Sequence, residues 1–146
     1  MYTEIEIENL RKQAKEAGLS APDWYWSTNT AALTVICNGC GAESFPEWCR
    51  ELLTWLYRNY APAHNIHDCR YEESDNMYSS RLLADDEFRD NCIILWERRY
   101  GWSRWINPVA LYARNKIRLA YNALRLCGIY AWQEAYQKRK KREVEL

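Results

Sequence analysis

The chain carries no net charge: 20 basic and 20 acidic residues cancel over 146 positions. That balance removes any global attraction to nucleic acid or to an anionic membrane surface. No apolar run approaches the ~18–20 residues needed to cross a bilayer, so no transmembrane segment is expected. The first residues, Met1-Tyr2-Thr3-Glu4, provide neither a basic nor an apolar segment, and no secretory leader is expected. Without export, the six cysteines read as thiols in helix interiors rather than as a disulfide framework. There is no internal repeat and no low-complexity segment. Neither a helix-turn-helix signature nor zinc-finger spacing occurs, so base-specific readout has no support. Histidine is reduced to two copies, which makes their placement informative.

Both histidines fall within His64-Asn65-Ile66-His67-Asp68-Cys69-Arg70-Tyr71, in a segment expected to be helical over residues 62–77. On a helix, positions i, i+3, i+4 and i+7 share a face. His64, His67, Asp68 and Tyr71 have that spacing. A proton acceptor, a metal-ligating oxygen and a phenolic donor are therefore expected on one stripe. A lone helix histidine is more often structural than catalytic, so the flanking segments carry the argument.

Upstream lies Cys37-Asn38-Gly39-Cys40-Gly41, after an apolar run and before Pro46. Two glycines spaced this way allow a tight turn whose carbonyls can approach a ligand. Hard cations such as calcium accept such carbonyls together with a carboxylate, so Gly39, Gly41 and Asp68 form a candidate calcium cage. Cys37 and Cys40 with His64 and His67 form a competing candidate zinc site, although the histidine spacing is one short of the usual range. The cysteines also read as ordinary turn residues or as a redox pair.

Downstream, residues 80–98 read as a helix capped by Ser79 or Ser80, with the apolar stripe Leu82, Phe88, Cys92, Leu95 and Trp96. Asp85 falls inside that stripe and Asp86 off it. A carboxylate among core positions costs several kcal/mol unless it is partnered. His67 on a facing helix is the expected partner, and the contact would fix the imidazole tautomer.

A Gly-x-Gly turn, an HD helix with tyrosine three residues after the aspartate, and a later helix supplying an aspartate resemble the phospholipase A2 superfamily. The segments CNGCGAES, APAHNIHDCRYE, ADDEFRDN and ARNKIRLAYNALRLCGIYAW resemble more closely a group of small bacteriophage and prophage proteins with a phospholipase A2-like core. The likeness spans residues 37–132 with gaps. It implies that His67 is a general base activating water, that Asp85 orients it, and that Tyr71 hydrogen-bonds to Asp85. It further implies Asp68, Gly39 and Gly41 as calcium ligands. The chain differs from secreted members in placing Ala63 and His64 where they carry a disulfide cysteine, and in an apparent extra helix over residues 47–60.

The organisation reads as mainly α-helical and as a single domain. Residues 1–30 supply an N-terminal helix, 4–17 with Gly18 as its stop, and an aromatic loop. Residues 37–132 form the phospholipase A2-like core, and 133–146 a basic tail. The run 31–36 is either a short strand or a buried helical turn. Trp48, Leu52, Trp55 and Leu56 read as a packing stripe. Asn107-Pro108 opens a helix to about residue 127, which Gly128 interrupts before a further helix. Trp102, Arg104 and Trp105, in a loop over 101–106, are a candidate interface for a protein partner or a lipid surface. Arg114, Arg118 and Arg125 share a helix face, and residues 138–142 are uniformly basic. These charges read as a solvated face, or as a site for anionic lipid or a nucleic-acid backbone.

Three functions are compatible with this pattern. One is calcium-dependent acyl-ester hydrolysis by a His-Asp dyad. The others are a virion structural or accessory protein and an inhibitor of a host system, each acting through a protein partner. The expected location is the cytoplasm of an infected bacterium or the virion.

Overall fold

The computed structural model describes residues 2–37 and 46–144, with the Cys49 and Arg50 side chains excluded. Seven α-helices account for most of the described chain, and no strand occurs among the described residues. Helix α1 spans Glu4–Ala17. Thr3 and Glu6 form a reciprocal capping box at its start, and Gly18 ends it in the left-handed conformation at φ 71°. The expected aromatic loop contains a short helix, α2 (Asp23–Ser27), opened by the fixed backbone of Pro22. The ambiguous run resolves as helix α3 (Thr30–Ile36), whose first turn is held by the Asn29 side chain accepting from Ala31 N–H.

Helix α4 (Glu47–Leu56) is shorter than expected. The chain tightens into a 3₁₀ turn at Arg58–Tyr60 and passes directly into α5 (Ala61–Glu72), with Pro62 in its first turn. The expected α4 packing stripe is corrected: Trp48, Leu52 and Trp55 are 66%, 48% and 60% exposed. The neighbouring apolar cluster is filled by Tyr60, Ala63, Ala110 and Ile117 against Phe88, Cys92 and Trp96, and no described α4 residue belongs to it.

Helix α6 spans Tyr78–Tyr100. The expected serine cap is corrected: Met77 is the N-cap and has no side-chain cap bond, and Asp75 holds the turn just before it. The Asp75 carboxylate accepts from Met77 N–H at 2.8 Å and from Ser80 Oγ at 2.6 Å, so Ser80 serves the turn and not the helix end. A 3₁₀ turn at Gly101–Trp105 leads to α7 (Pro108–Val144), where Asn107 accepts from Val109 N–H at 2.9 Å. Helix α7 runs unbroken through Gly128, against the expected interruption. Gly128 is buried and serves packing.

Helix α5 is the central element. One face joins Ile66 and Cys69 to Ile7, Leu19, Tyr25, Leu33 and Cys37 of the N-terminal helices. The other meets α6 and α7, where Phe88, Cys92 and Trp96 form the second apolar cluster. Each such large side chain contributes about 1.5–3 kcal/mol on burial. Trp96 is additionally fixed by donating from Nε1 to the Ala110 carbonyl at 2.7 Å. A third, smaller cluster joins Tyr71, Ala84 and Trp132 where α5, α6 and α7 converge.

Candidate functional site

Asp85 is fully buried between α5, α6 and α7. It shares its helix face with Phe88 and Cys92, which carries the carboxylate inward by spacing alone. Three donors meet it. His67 Nε2 lies 3.1 Å from Oδ1, and Tyr71 Oη donates to the same oxygen at 2.9 Å. Arg125 Nη1 donates to Oδ2 at 2.7 Å. Facing a carboxylate oxygen, Nε2 of His67 carries the proton, and in the neutral ring Nδ1 is then the acceptor.

Burial pushes the Asp85 carboxyl up, but the hydrogen bonds from His67, Tyr71 and Arg125 outweigh it and hold the group below the usual carboxylate range. The same contact raises Tyr71, burial first and the adjacent carboxylate second. Desolvation opposes the Arg125 charge, yet Asp85 and Tyr78 hold the guanidinium above its ordinary value. Arg125 also donates from Nη2 to Tyr78 Oη at 2.7 Å and lies over that ring. Its side chain is 17% exposed, so the network is wet at this one edge.

Aromatic rings complete the enclosure. The His67 ring centroid lies 4.3 Å from Tyr71 and 5.1 Å from Phe88, and Tyr71 meets Trp132 edge to face at 5.0 Å. His67 is only 6% exposed. Gly128 of α7 closes over Tyr71. A Cβ there would stand 2.7 Å from Tyr71 Oη, so Tyr71 or α7 would have to shift to admit one.

The structure thus brings His67, Tyr71 and Asp85 together. It does not keep the whole expected stripe together. His64 turns to Phe88 and Tyr57, with ring centroids 4.8 and 5.9 Å away, and its Nε2 is buried with no partner among the described residues. Burial, followed by the repulsion of His67, pulls its pKa down to about 3. Asp68 is near enough to Cys37 to raise that thiol, so it serves the opposite side of α5. Neighbouring helix positions lie about 100° apart, so His67 and Asp68 diverge.

Gly39, Cys40 and Gly41 lie outside the described residues. Asp68 is therefore the sole described member of the calcium set, and Cys37, His64 and His67 of the zinc set. Among the described residues, no group of three or more ligating side chains is placed to hold a metal.

Trp102 and Trp105 are 82% and 54% exposed, with the Arg104 guanidinium 5.3 Å over Trp105. The Arg114 guanidinium also lies over Trp105, at 5.0 Å. The basic tail is largely neutralised within the fold. Lys138 pairs with Glu134, Arg139 and Lys140 with Glu143, and Arg142 with Glu72. No helix among the described residues is long and apolar enough to cross a membrane.

Sequence reasoning missed Arg125, Gly128 and Trp132 as parts of the site. Arg125 was grouped with Arg114 and Arg118 as a charged face. The spacing Tyr121, Arg125, Gly128, Trp132 is a heptad-like stripe and could have marked all three as facing the core. An open groove of about 640 Å³ borders the site at Ala84 and Trp132 and is otherwise lined by Arg70, Asp86, Glu87, Asp90 and Asn91 among others; neither His67 nor Asp85 lines it. In comparisons with known proteins, no family model, no curated protein and no solved structure matches the chain.

Proposed function

We propose that this chain is a small helical binding protein, a phage accessory or structural component or an inhibitor of a host system, that acts on a protein partner. In this reading the phospholipase A2-like core is kept for its shape. The observation that carries it is the saturation of Asp85: fully buried, with donors on both oxygens, and with His67 enclosed by Tyr71 and Phe88. A carboxylate so placed serves as a buried polar lock between three helices. The recognition surface lies elsewhere, on Trp102, Arg104 and Trp105 and on the uncovered Trp48 and Trp55 of α4. Exposed tryptophans beside arginines have the composition of binding hot spots.

A second reading is ester hydrolysis. It is favoured by the shared contact of His67 and Tyr71 with one oxygen of Asp85, which would orient Nδ1 to take a proton from water as the water attacks an ester carbonyl. Of the implied calcium set only Asp68 is described, and no step is assigned to the ion.

Phospholipid vesicles with and without calcium, tested on wild type and His67→Gln, separate the two readings. The expected result is no hydrolysis by either protein. Hydrolysis by wild type that falls 10²–10⁴-fold in His67→Gln, the usual cost of a lost positioned base, establishes the second reading.

A further inference from the structure

The face of α5 that turns away from Asp85 holds a thiol pair. Cys37 Sγ and Cys69 Sγ lie 3.8 Å apart, and both residues have zero exposure. Cys37 is the C-terminal cap of α3, with extended backbone, and immediately precedes residues 38–45. Cys69 follows Asp68 on α5. Around the pair stand Leu33, Ile66 and Tyr25, all buried in the same apolar cluster. Among the described residues, Cys37 Sγ also contacts the Asn65 carbonyl at 3.5 Å. Of the remaining described cysteines, Cys92 belongs to the second apolar cluster and Cys127 is exposed, so neither competes for this contact.

We propose that Cys37 and Cys69 are an oxidisable pair that closes to an intramolecular disulfide by exchange with a small disulfide such as oxidised glutathione. One cysteine thiolate attacks a sulfur of the reagent, the reagent S–S bond breaks, and the first glutathione leaves as a thiolate that takes up the proton. The second cysteine attacks the resulting mixed disulfide, forms the Cys37–Cys69 bond and expels the second glutathione thiol. Two protein thiols are oxidised and one reagent disulfide is reduced to two thiols.

Bond formation requires the sulfurs to close from 3.8 Å to about 2.05 Å, a movement within reach of side-chain rotation at a helix end. The hydrogen bond to Cys69, and then burial, hold the Cys37 thiol above its ordinary range. Reaction in either direction therefore proceeds through opening of the α3 terminus, so dithiothreitol reverses it slowly. The staple would tie the start of residues 38–45 to the helix that carries His67. The inference is independent of the proposed function, since it rests on the fold alone.

The test uses the full chain with Cys127→Ser, which removes the exposed thiol among the described residues, and with Cys40→Ser and Cys49→Ser, so that any adduct is read at Cys37 or Cys69. After incubation with oxidised glutathione, intact mass should fall by about 2 Da, and peptide mapping should place the bond between Cys37 and Cys69. Closing a loop of this length should raise Tm by on the order of 10 °C, reversed by dithiothreitol. Cys69→Ala should abolish that linkage; if this variant fails to fold, mapping on the parent chain decides alone. Thiols that stay free, a stable glutathione adduct, or a bond that joins Cys37 to another cysteine overturns the proposal.

Discussion

Arg125 and Asp85 meet at 2.7 Å although 40 positions separate them, and this contact bolts α7 onto the carboxylate that His67 and Tyr71 hold from α5. Replacing Arg125 with leucine should leave Oδ2 buried and unpartnered. The expected cost is about 3 kcal/mol, read as a lower urea midpoint at unchanged slope. A shift below about 0.5 kcal/mol would show that water at the exposed edge substitutes for the guanidinium.

His67→Ala tests the lock from the other side. It removes a donor and opens a cavity beside Phe88, and should cost about 3–5 kcal/mol. His67→Gln keeps one donor and should cost distinctly less. Equal midpoints for the two variants would mean that the bond to Asp85 contributes nothing beyond packing.

Gly128 and Tyr71 should be coupled. Alanine at 128 gains helix propensity of about 1 kcal/mol but meets Tyr71 Oη at 2.7 Å, for a net loss of about 1–2 kcal/mol. In a Tyr71→Phe background the hydroxyl is gone, and the remaining neighbours, Arg81 Nη1 at 3.4 Å and the ring carbon at 3.8 Å, are ordinary contacts. There the same alanine should be neutral or stabilising. A double-mutant cycle measures the change of sign, and additivity would refute it.

Stability should fall with acid because of His64. Its folded pKa is drawn down to about 3, while the unfolded histidine titrates near 6.5. Between those values the unfolded chain binds the extra proton, so the His64 contribution is complete above pH 6.5 and is lost as pH falls. Part of the residue is exposed, so the loss by pH 5 is roughly 1–2 kcal/mol. Asp85, held below its ordinary value, adds a second decline only below about pH 4. Urea midpoints of His64→Leu should be nearly flat from pH 7 to 5.

Asn65 is fully buried, and neither end of its amide has a partner among the described residues. Leucine has the same branched skeleton with larger methyl ends, so removing the stranded amide should outweigh some overpacking and raise stability by about 1 kcal/mol. A lower midpoint for Asn65→Leu would reveal a polar partner that the amide serves.

What could be read from sequence was local. The α1 boundaries followed from Thr3, Glu6 and Gly18, whose chemistry acts within a few residues of itself. Asp85 could be placed against His67 because an unpaired carboxylate inside an apolar stripe demands a partner, and only two histidines exist. Arg125 could not be found that way, since an arginine on a mixed face is ambiguous until the facing helix is known. The α4 stripe misled for a related reason: amphipathicity shows that a face is apolar but not that a neighbour covers it. Gly128 misled because its usual meaning, a helix stop, gave way to the need for space at Tyr71. Calcium at Gly39 and Gly41 and zinc at Cys40 fall outside the described residues.

The long reach from Asp85 to Arg125 also sets a schedule. At about 5–20 residues per second, a ribosome makes Arg125 some 2–8 s after Asp85. Until then α5 and α6 can meet only around a carboxylate lacking its strongest donor, and the Tyr71 ring lacks Trp132 as well. The Asp85 side of the core therefore waits for the last third of the chain, whereas the cluster of Ile7, Tyr25, Leu33, Ile66 and Cys69 contains no residue of α7. Packing around Asp85 is thus completed only when α7 arrives, after the elements of the first cluster have all been made.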